Sequence, residues 1–252
     1  YAGTTTISAG TLQIGDAGTT GTLGTGAVTN NANLVFNRTD ALAVSNNISG
    51  SGNVTQTGSG STTLAGTNSY SGATTVNAGT LIASGSSSLG DGAGAATVNA
   101  GSLSLAGGTT ITKSGLLSLA GTGTSATVGA LHAGGGTGTT SAWKGNISLA
   151  ANATITAADN LLILGEGSTF TNTITLGANT LTFHTPNAAT VTPTYVPGSY
   201  TLDAANVMVN SAINGTGGVT KTGVGTLILI PLTPGGSGFT GPLTITGGKV
   251  IE

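Results

Sequence analysis

The sequence has very few charged residues. Its 252 residues include only five Lys and Arg and seven Asp and Glu, so about 5% of the chain is charged, against roughly one quarter in an ordinary globular domain. The cations, Arg38, Lys113, Lys144, Lys221 and Lys249, are scattered along the chain. Because binding to a phosphate backbone needs clustered cations, we expect no nucleic-acid partner.

Cysteine is absent altogether, which excludes a disulfide framework and a thiolate metal site. No apolar run approaches the roughly 20 residues of a membrane-spanning helix, and the longest apolar window, 225–232, is much shorter. We therefore expect no membrane insertion of this segment.

Glycine, threonine and β-branched residues fill the chain instead. There are 45 glycines, and they separate short runs of Val, Ile, Leu and Thr. Runs of this length with alternating apolar and Thr residues, such as 173–176, indicate strands with one face inward. The sequence predicts an all-β protein whose surface is made of Thr, Ser and Asn.

Internal repetition is the strongest signal. The stretch 49–82 recurs at 213–251, and a shorter copy opens the chain at 1–14. Residues 98–105 also repeat 76–83 at an offset of 22 residues. A repeat of about 20 residues made of short strands and turns predicts one rung of a solenoid, and at this spacing the chain would form 11 or 12 rungs.

The repeat resembles the autotransporter-associated β-strand repeat, also called the passenger-associated transport repeat. The residues that carry the resemblance in the first full copy are Gly50, Gly52, Val54, Thr57, Gly58, Gly60, Leu64, Gly66, Asn68, Tyr70, Gly72, Thr74, Val76, Gly79 and Leu81. The second copy has Lys221 where the first has Gln56, and it departs from the pattern at 231–238, before Phe239.

The resemblance implies a right-handed parallel β-helix that forms the passenger stalk of a secreted bacterial surface protein, with no enzymatic activity of its own. We expect residues 1–252 to be a single continuous solenoid located outside the cell or on its surface. Tyr1 opens inside a repeat without a signal peptide, which predicts a segment of a longer chain. A loop at 184–200, with Pro186, Pro193 and Pro197, is predicted to project from the stack.

No set of residues forms a recognisable catalytic, cofactor or metal motif, so no site residue and no cofactor is predicted. His132 and His184 lack a partner at metal-ligand spacing and are expected at the surface or at a corner. The glycine-rich turn around Asp91 is interpreted as a loop, because it lacks the repeated acidic ladder of a calcium site. The isolated acids are Asp16, Asp40, Asp91, Asp159, Glu166, Asp203 and Glu252.

Aromatic residues offer little more. Tyr70 and Phe239 occupy equivalent positions and are expected to pack at corners. Trp143, followed by Lys144, is expected in the core, with surface binding as the alternative.

Two functions remain open. The favoured one is a non-enzymatic structural or adhesive segment, which could associate end to end through its termini or bind a surface glycan or a host-cell ligand. The alternative is a carbohydrate-active β-helix, a lyase or hydrolase, which would need acids such as Asp159, Glu166 and Asp203 to converge.

Overall fold

The chain folds as a parallel β-solenoid in a computed structural model, which describes residues 1–135, 137–165, 171–189, 206–230 and 238–252. All the paired strands are parallel, and each pairs with its counterpart one rung above or below. The described residues contain no helix, and so none long and apolar enough to cross a membrane. The predicted fold class is confirmed.

The strands lie on three faces. Face 1 is formed, in order along the stack, by β2 (Thr11–Gly18), β4 (Asn33–Arg38), β7 (Asn53–Gln56), β9 (Thr74–Val76), β11 (Ala96–Val98), β14 (Leu117–Gly121), the first half of β17 (Ile147–Ala157), β19 (Thr173–Gly177), β22 (Ala212–Gly215) and β25 (Gly238–Phe239). Face 2 is formed by β5 (Ala41–Val44), β8 (Ser61–Leu64), β10 (Thr80–Ala83), β12 (Ser102–Leu105), β15 (Leu131–Ala133), the second half of β17, β20 (Leu181–His184), β23 (Val219–Thr222) and β26 (Leu243–Ile245).

Face 3 begins with β1 (Thr5–Ile7), β3 (Val28–Asn30) and β6 (Ile48–Ser49) and ends with β13 (Thr110–Thr112), β16 (Thr140–Lys144), β18 (Leu161–Leu164), β21 (Val207–Val209), β24 (Thr226–Leu229) and β27 (Lys249–Ile251). Between these two groups the stack continues through extended segments: the Ser69 amide donates to the Ile48 carbonyl at 2.8 Å, and the Asp91 amide donates to the Tyr70 carbonyl at 3.1 Å.

Counted along face 1, the described strands build ten rungs. Face 3, with its nine strands and the extended segments at Tyr70 and Asp91, has eleven layers, in agreement with the 11 or 12 predicted. The first rungs follow the expected spacing, with 20 residues from Leu34 to Val54. The later ones are wider, because 30 residues separate Leu117 from Ile147 and 39 separate Ile174 from Ile213. The extra residues between Leu117 and Ile147 lie in the connections between strands, and the strands still pair, with register shifts after Leu119 and after Thr175.

The core is a set of inward-facing columns that run along the axis. One column on face 1 consists of Leu34, Val54, Thr74, Ala96, Leu117, Ile147, Ile174 and Ile213, all buried. Burial of each large aliphatic side chain contributes about 1.5–3 kcal/mol. The stack is therefore stabilised rung by rung, and each rung contacts mainly its neighbours.

Asparagine side chains join neighbouring rungs at the corners. Buried Asn68 donates from Nδ2 to the Ser88 carbonyl at 2.8 Å and accepts the Ile48 amide at 2.9 Å. Asn53 accepts the Ala73 amide at 2.9 Å. These amides satisfy backbone groups that the ladders leave unpaired.

The repeats do not start on the same face. The repeat strand that ends in Ile7, Val76 or Ile245 is β1 on face 3 in the opening copy, β9 on face 1 in the first full copy and β26 on face 2 in the second. One sequence pattern therefore forms all three faces, and the faces are interchangeable for the repeat.

Candidate functional site

The outer surface of face 2 carries a column that contains both histidines. The strand registers place Ser104, His132, Thr156, His184 and Thr222 one above another on five successive rungs. The sequence does not show this arrangement, because the intervals between these residues are unequal. Rungs are about 4.8 Å apart, so the two imidazoles, two rungs apart, are too distant to ligate one metal ion.

Each histidine is fixed by the threonine on the next rung. His132 Nδ1 lies 2.8 Å from Thr156 Oγ1, and His184 Nδ1 lies 2.7 Å from Thr222 Oγ1. The Thr156 hydroxyl also accepts the Gly129 amide at 2.8 Å. These contacts hold both rings in place. Both histidines lie on the outer surface of face 2, within strands and not at corners.

Burial lowers the pKa of both histidines. For His132 the cause is burial, partly offset by the hydrogen bond with Thr156. For His184 burial is again the larger cause, and the Lys221 ammonium group lowers the pKa further. Both imidazoles are therefore neutral at neutral pH, and the column carries no charge.

A second column of hydroxyl groups runs beside the first. It consists of Thr154, Thr182, Thr220 and Thr244 on four successive rungs. The side chains of Thr154 and Thr182 make no hydrogen bond to any other residue in the described ranges. Their hydroxyl groups are available to a ligand.

The connection from β14 to β15 folds over this surface and forms a groove of about 460 Å³. The connection is held down by the Thr124 amide, which donates to Ser102 Oγ at 3.0 Å and to the Val128 carbonyl at 3.0 Å. The residues that line the groove are Thr122, Gly123, Thr124, Ser125, Ala126, Thr154, Thr182, His184 and Thr222. None is an acid, a lysine or an arginine.

Lys221 lies on the inward side of the same strand and is fully buried. Its Nζ donates to the carbonyls of Thr222 at 2.7 Å, Gly223 at 2.9 Å and Gly247 at 3.2 Å. Burial lowers its pKa to about 8. Lys221 therefore closes a corner of the solenoid and does not reach the groove.

Three of the described carboxylates have separate partners. Asp40 forms an ion pair with Arg38 at 2.7 Å, which lowers the pKa of the Asp40 carboxyl. Asp91 accepts the Ala93 amide at 3.0 Å within its turn, and Asp159 accepts from Asn187 Nδ2 at 2.6 Å. Glu166 and Asp203 lie outside the described residues, as does 190–200 of the predicted loop. In the described part of the chain, no three His, Asp or Glu side chains are placed to hold a metal ion.

The aromatic residues lie where packing predicts. Trp143 is fully buried in β16, so the core interpretation is confirmed over surface binding, and Lys144 is partly exposed. Tyr70 is also buried, and its hydroxyl lies 2.7 Å from Thr74 Oγ1. Phe239 is partly buried against the core.

The signal that could have revealed the site is a repeated Thr-x-Thr or Thr-x-His triplet. It occurs at 154–156, 182–184 and 220–222, each time with its middle residue buried. Alternation of this kind predicts two outward side chains per rung. Unequal connections hide the fact that these triplets stack.

Comparison with known proteins identifies the repeat. The chain matches the passenger-associated transport repeat family over residues 1–14, 54–83 and 219–251. It is similar to the adhesin BmaC autotransporter of Brucella suis biovar 1 (strain 1330), with 52% identity over 52 residues, which are 21% of this chain and 2% of that protein. The matched segment is thus a very small part of the relative. No solved structure matches the chain.

Proposed function

We propose, from the passenger-associated transport repeats that this chain carries, that it is a non-enzymatic structural and adhesive segment of an autotransporter passenger on a bacterial surface. The observation that carries the proposal is that copies of one repeat build all three faces of a continuous stack. Such a stack spaces and presents surfaces along a rod. The adhesin similarity supports the same role.

The separate engagement of the described carboxylates Asp40 and Asp159 supports a non-enzymatic role. Glycoside hydrolysis uses two carboxyl groups on opposite sides of one bond. Asp40 is paired with Arg38, and Asp159 is bound by Asn187. Neither carboxylate lines the groove on face 2.

Display on a bacterial surface tests the proposal. Residues 1–252 would be fused to an autotransporter translocation unit in a laboratory strain that does not adhere, with the translocation unit alone as the control. We expect the fusion to be removed by external protease and to increase binding of the cells to each other or to host cells. Retention inside the cell, or adhesion no greater than the control's, would contradict the proposal.

The same purified segment would be incubated with neutral and acidic polysaccharides. We expect no release of reducing ends and no new unsaturated sugar. Release of either product would instead favour the carbohydrate-active β-helix.

A further inference from the structure

The groove on face 2 offers hydroxyl groups and no fixed charge. Its lining residues are Thr, Ser, Gly, Ala and one neutral histidine. A phosphate or carboxylate ligand needs cationic partners or several amide donors, and the nearest lysine, Lys221, is buried on the inward side. An anionic ligand therefore has little to bind here.

The hydroxyl groups suit a ligand that both donates and accepts hydrogen bonds. A threonine hydroxyl has one donor and two acceptor positions, and Thr154 and Thr182 make no bonds to other described residues. Sugar hydroxyls have the same dual character. The threonine methyl groups provide small apolar contacts for the C–H surface of a sugar ring.

The groove runs across the strands. Thr154, Thr182 and Thr222 belong to three successive rungs, and rungs are about 4.8 Å apart, which is comparable to the length of one pyranose unit in an extended chain. The wall formed by residues 122–126 is anchored through Thr124. The site is thus preformed, so binding costs little ordering of the protein.

His184 is one of the strand residues that line the groove. Its Nδ1 is occupied by Thr222 Oγ1 at 2.7 Å, which leaves Nε2 as the ring nitrogen for a ligand. His132, two rungs away in the same column, does not line the groove. The chain therefore contains one histidine in the site and one outside it.

We propose that this groove binds an extended, uncharged polysaccharide along the solenoid axis, with the hydroxyl groups of Thr154 and Thr182 and Nε2 of His184 as the recognition groups. The proposal rests on the proposed adhesive function and specifies its ligand class and location.

Selective labelling of the two histidines tests this directly. The ¹⁵N-histidine protein would be titrated at pH 7.5 with cellohexaose, laminarihexaose and maltohexaose, and with hexagalacturonate as the charged comparison. We expect the His184 ring signals to shift with at least one neutral hexasaccharide while the His132 signals stay in place. If all three neutral sugars leave His184 unchanged, if both histidines shift equally, or if hexagalacturonate binds most tightly, the proposal is wrong.

Valine replacements locate the binding groups without changing shape. Thr182→Val should weaken binding of the responding sugar at least fivefold, because it removes a hydroxyl while keeping a β-branched side chain. The matched control is Thr55→Val, which alters an equally half-exposed threonine on face 1 and should leave the affinity unchanged. Equal affinities for the two variants would place the ligand elsewhere.

The experiments distinguish failure of the groove proposal from failure of the proposed adhesive function. If Thr182→Val abolishes sugar binding but displayed cells still adhere, the groove site stands and adhesion uses another surface. If the fusion is displayed and adhesive but binds no neutral sugar, the groove proposal fails and the passenger function stands.

Discussion

Residues at equivalent positions of the repeat make the same hydrogen bond with different side chains. Gln56 donates from Nε2 to the Gly58 carbonyl at 2.8 Å, and Lys221, at the matching position, donates to the carbonyl of the matching glycine, Gly223, at 2.9 Å. Both side chains are buried. What the position requires is a donor to the corner carbonyls, and the positive charge is incidental.

A Tyr–Thr pair is also repeated, and its two residues change together. Tyr70 bonds Thr74 at 2.7 Å, and exposed Tyr1 bonds Thr5 at 2.9 Å. In the last copy the two residues are Phe239 and Leu243. Both hydroxyls are lost together, so neither is left without its partner.

Substitutions at Lys221 should show whether its hydrogen bonds or its positive charge stabilise the fold. Lys221→Met removes the Nζ donor from three partly buried carbonyls, of which that of Thr222 keeps the Thr185 amide at 3.1 Å. An unsatisfied buried group costs about 1–3 kcal/mol, so we expect a loss of about that size in urea unfolding. Lys221→Gln, which copies Gln56, should lose less than half as much. Equal losses would mean that the charge matters and not the hydrogen bonds.

The two histidines should make stability depend on pH. Their pKa values are lowered in the folded state relative to about 6.5 in the unfolded chain. The unfolded state therefore binds more protons below pH 6.5, and stability, full above that value, falls as the pH drops towards the folded pKa values. The pKa of Asp40 is lowered from 3.8, so its carboxylate affects stability only at lower pH.

Urea unfolding at pH 7.5 and pH 5.5 measures this. We expect the wild-type midpoint to fall between these two conditions, and the double variant His132→Gln with His184→Gln to show a smaller change. A double variant with the full wild-type decrease would show that other groups cause it.

At the scale of strands, the repeat predicted that these segments are strands. It did not predict on which face of the solenoid each strand lies. Val54 and Leu64 were recognisable as strand centres from their neighbours, and they are buried in β7 and β8. Which strands stack depends on connection length, and the connections widen after Leu117. For that reason the column of His132 and His184 could not be read from the sequence.

Some corner positions require glycine because the backbones of neighbouring rungs lie very close together there. A Cβ added to Gly66 would overlap the carbonyl oxygen of Asn46 on the neighbouring rung, although the φ of Gly66 is not in the left-handed region. The constraint is therefore contact between backbones.

Gly66→Ala should destabilise the stack by about 1–3 kcal/mol, because the neighbouring rung must move to accept the methyl group. Gly18→Ala is the control, since nothing lies within 4 Å of its added Cβ; a change within about 0.5 kcal/mol is expected. Thermal unfolding followed by circular dichroism compares the two. A similar small effect at both sites would contradict the stacking explanation.

At the scale of the whole molecule, an isolated segment of residues 1–252 would present its last described rung as an unpaired edge. Ile245, which stacks on Lys221, is 51% exposed, and Leu243 is 37% exposed. Unpaired strand edges next to apolar side chains favour pairing with another edge.

We therefore propose that the isolated segment 1–252 associates end to end. Sedimentation velocity should show a weight-average mass that rises with concentration, and Ile245→Lys, which puts a charge on the open edge, should reduce this association. Thr55→Lys, on the side of the stack, is the matched control. A monomer at all concentrations would contradict this expectation.

The appearance of the repeat on all three faces has a geometric consequence for the length of such a rod. The first full copy fills five consecutive positions around the stack: β7, β8, the segment at Tyr70, β9 and β10. Five is not a multiple of three, so inserting or deleting one copy turns everything beyond it by two thirds of a revolution. Only a change of three copies restores the original direction. Gain or loss of a repeat would thus change the direction in which a groove such as that on face 2 faces around the rod. The residues that line the groove would stay the same.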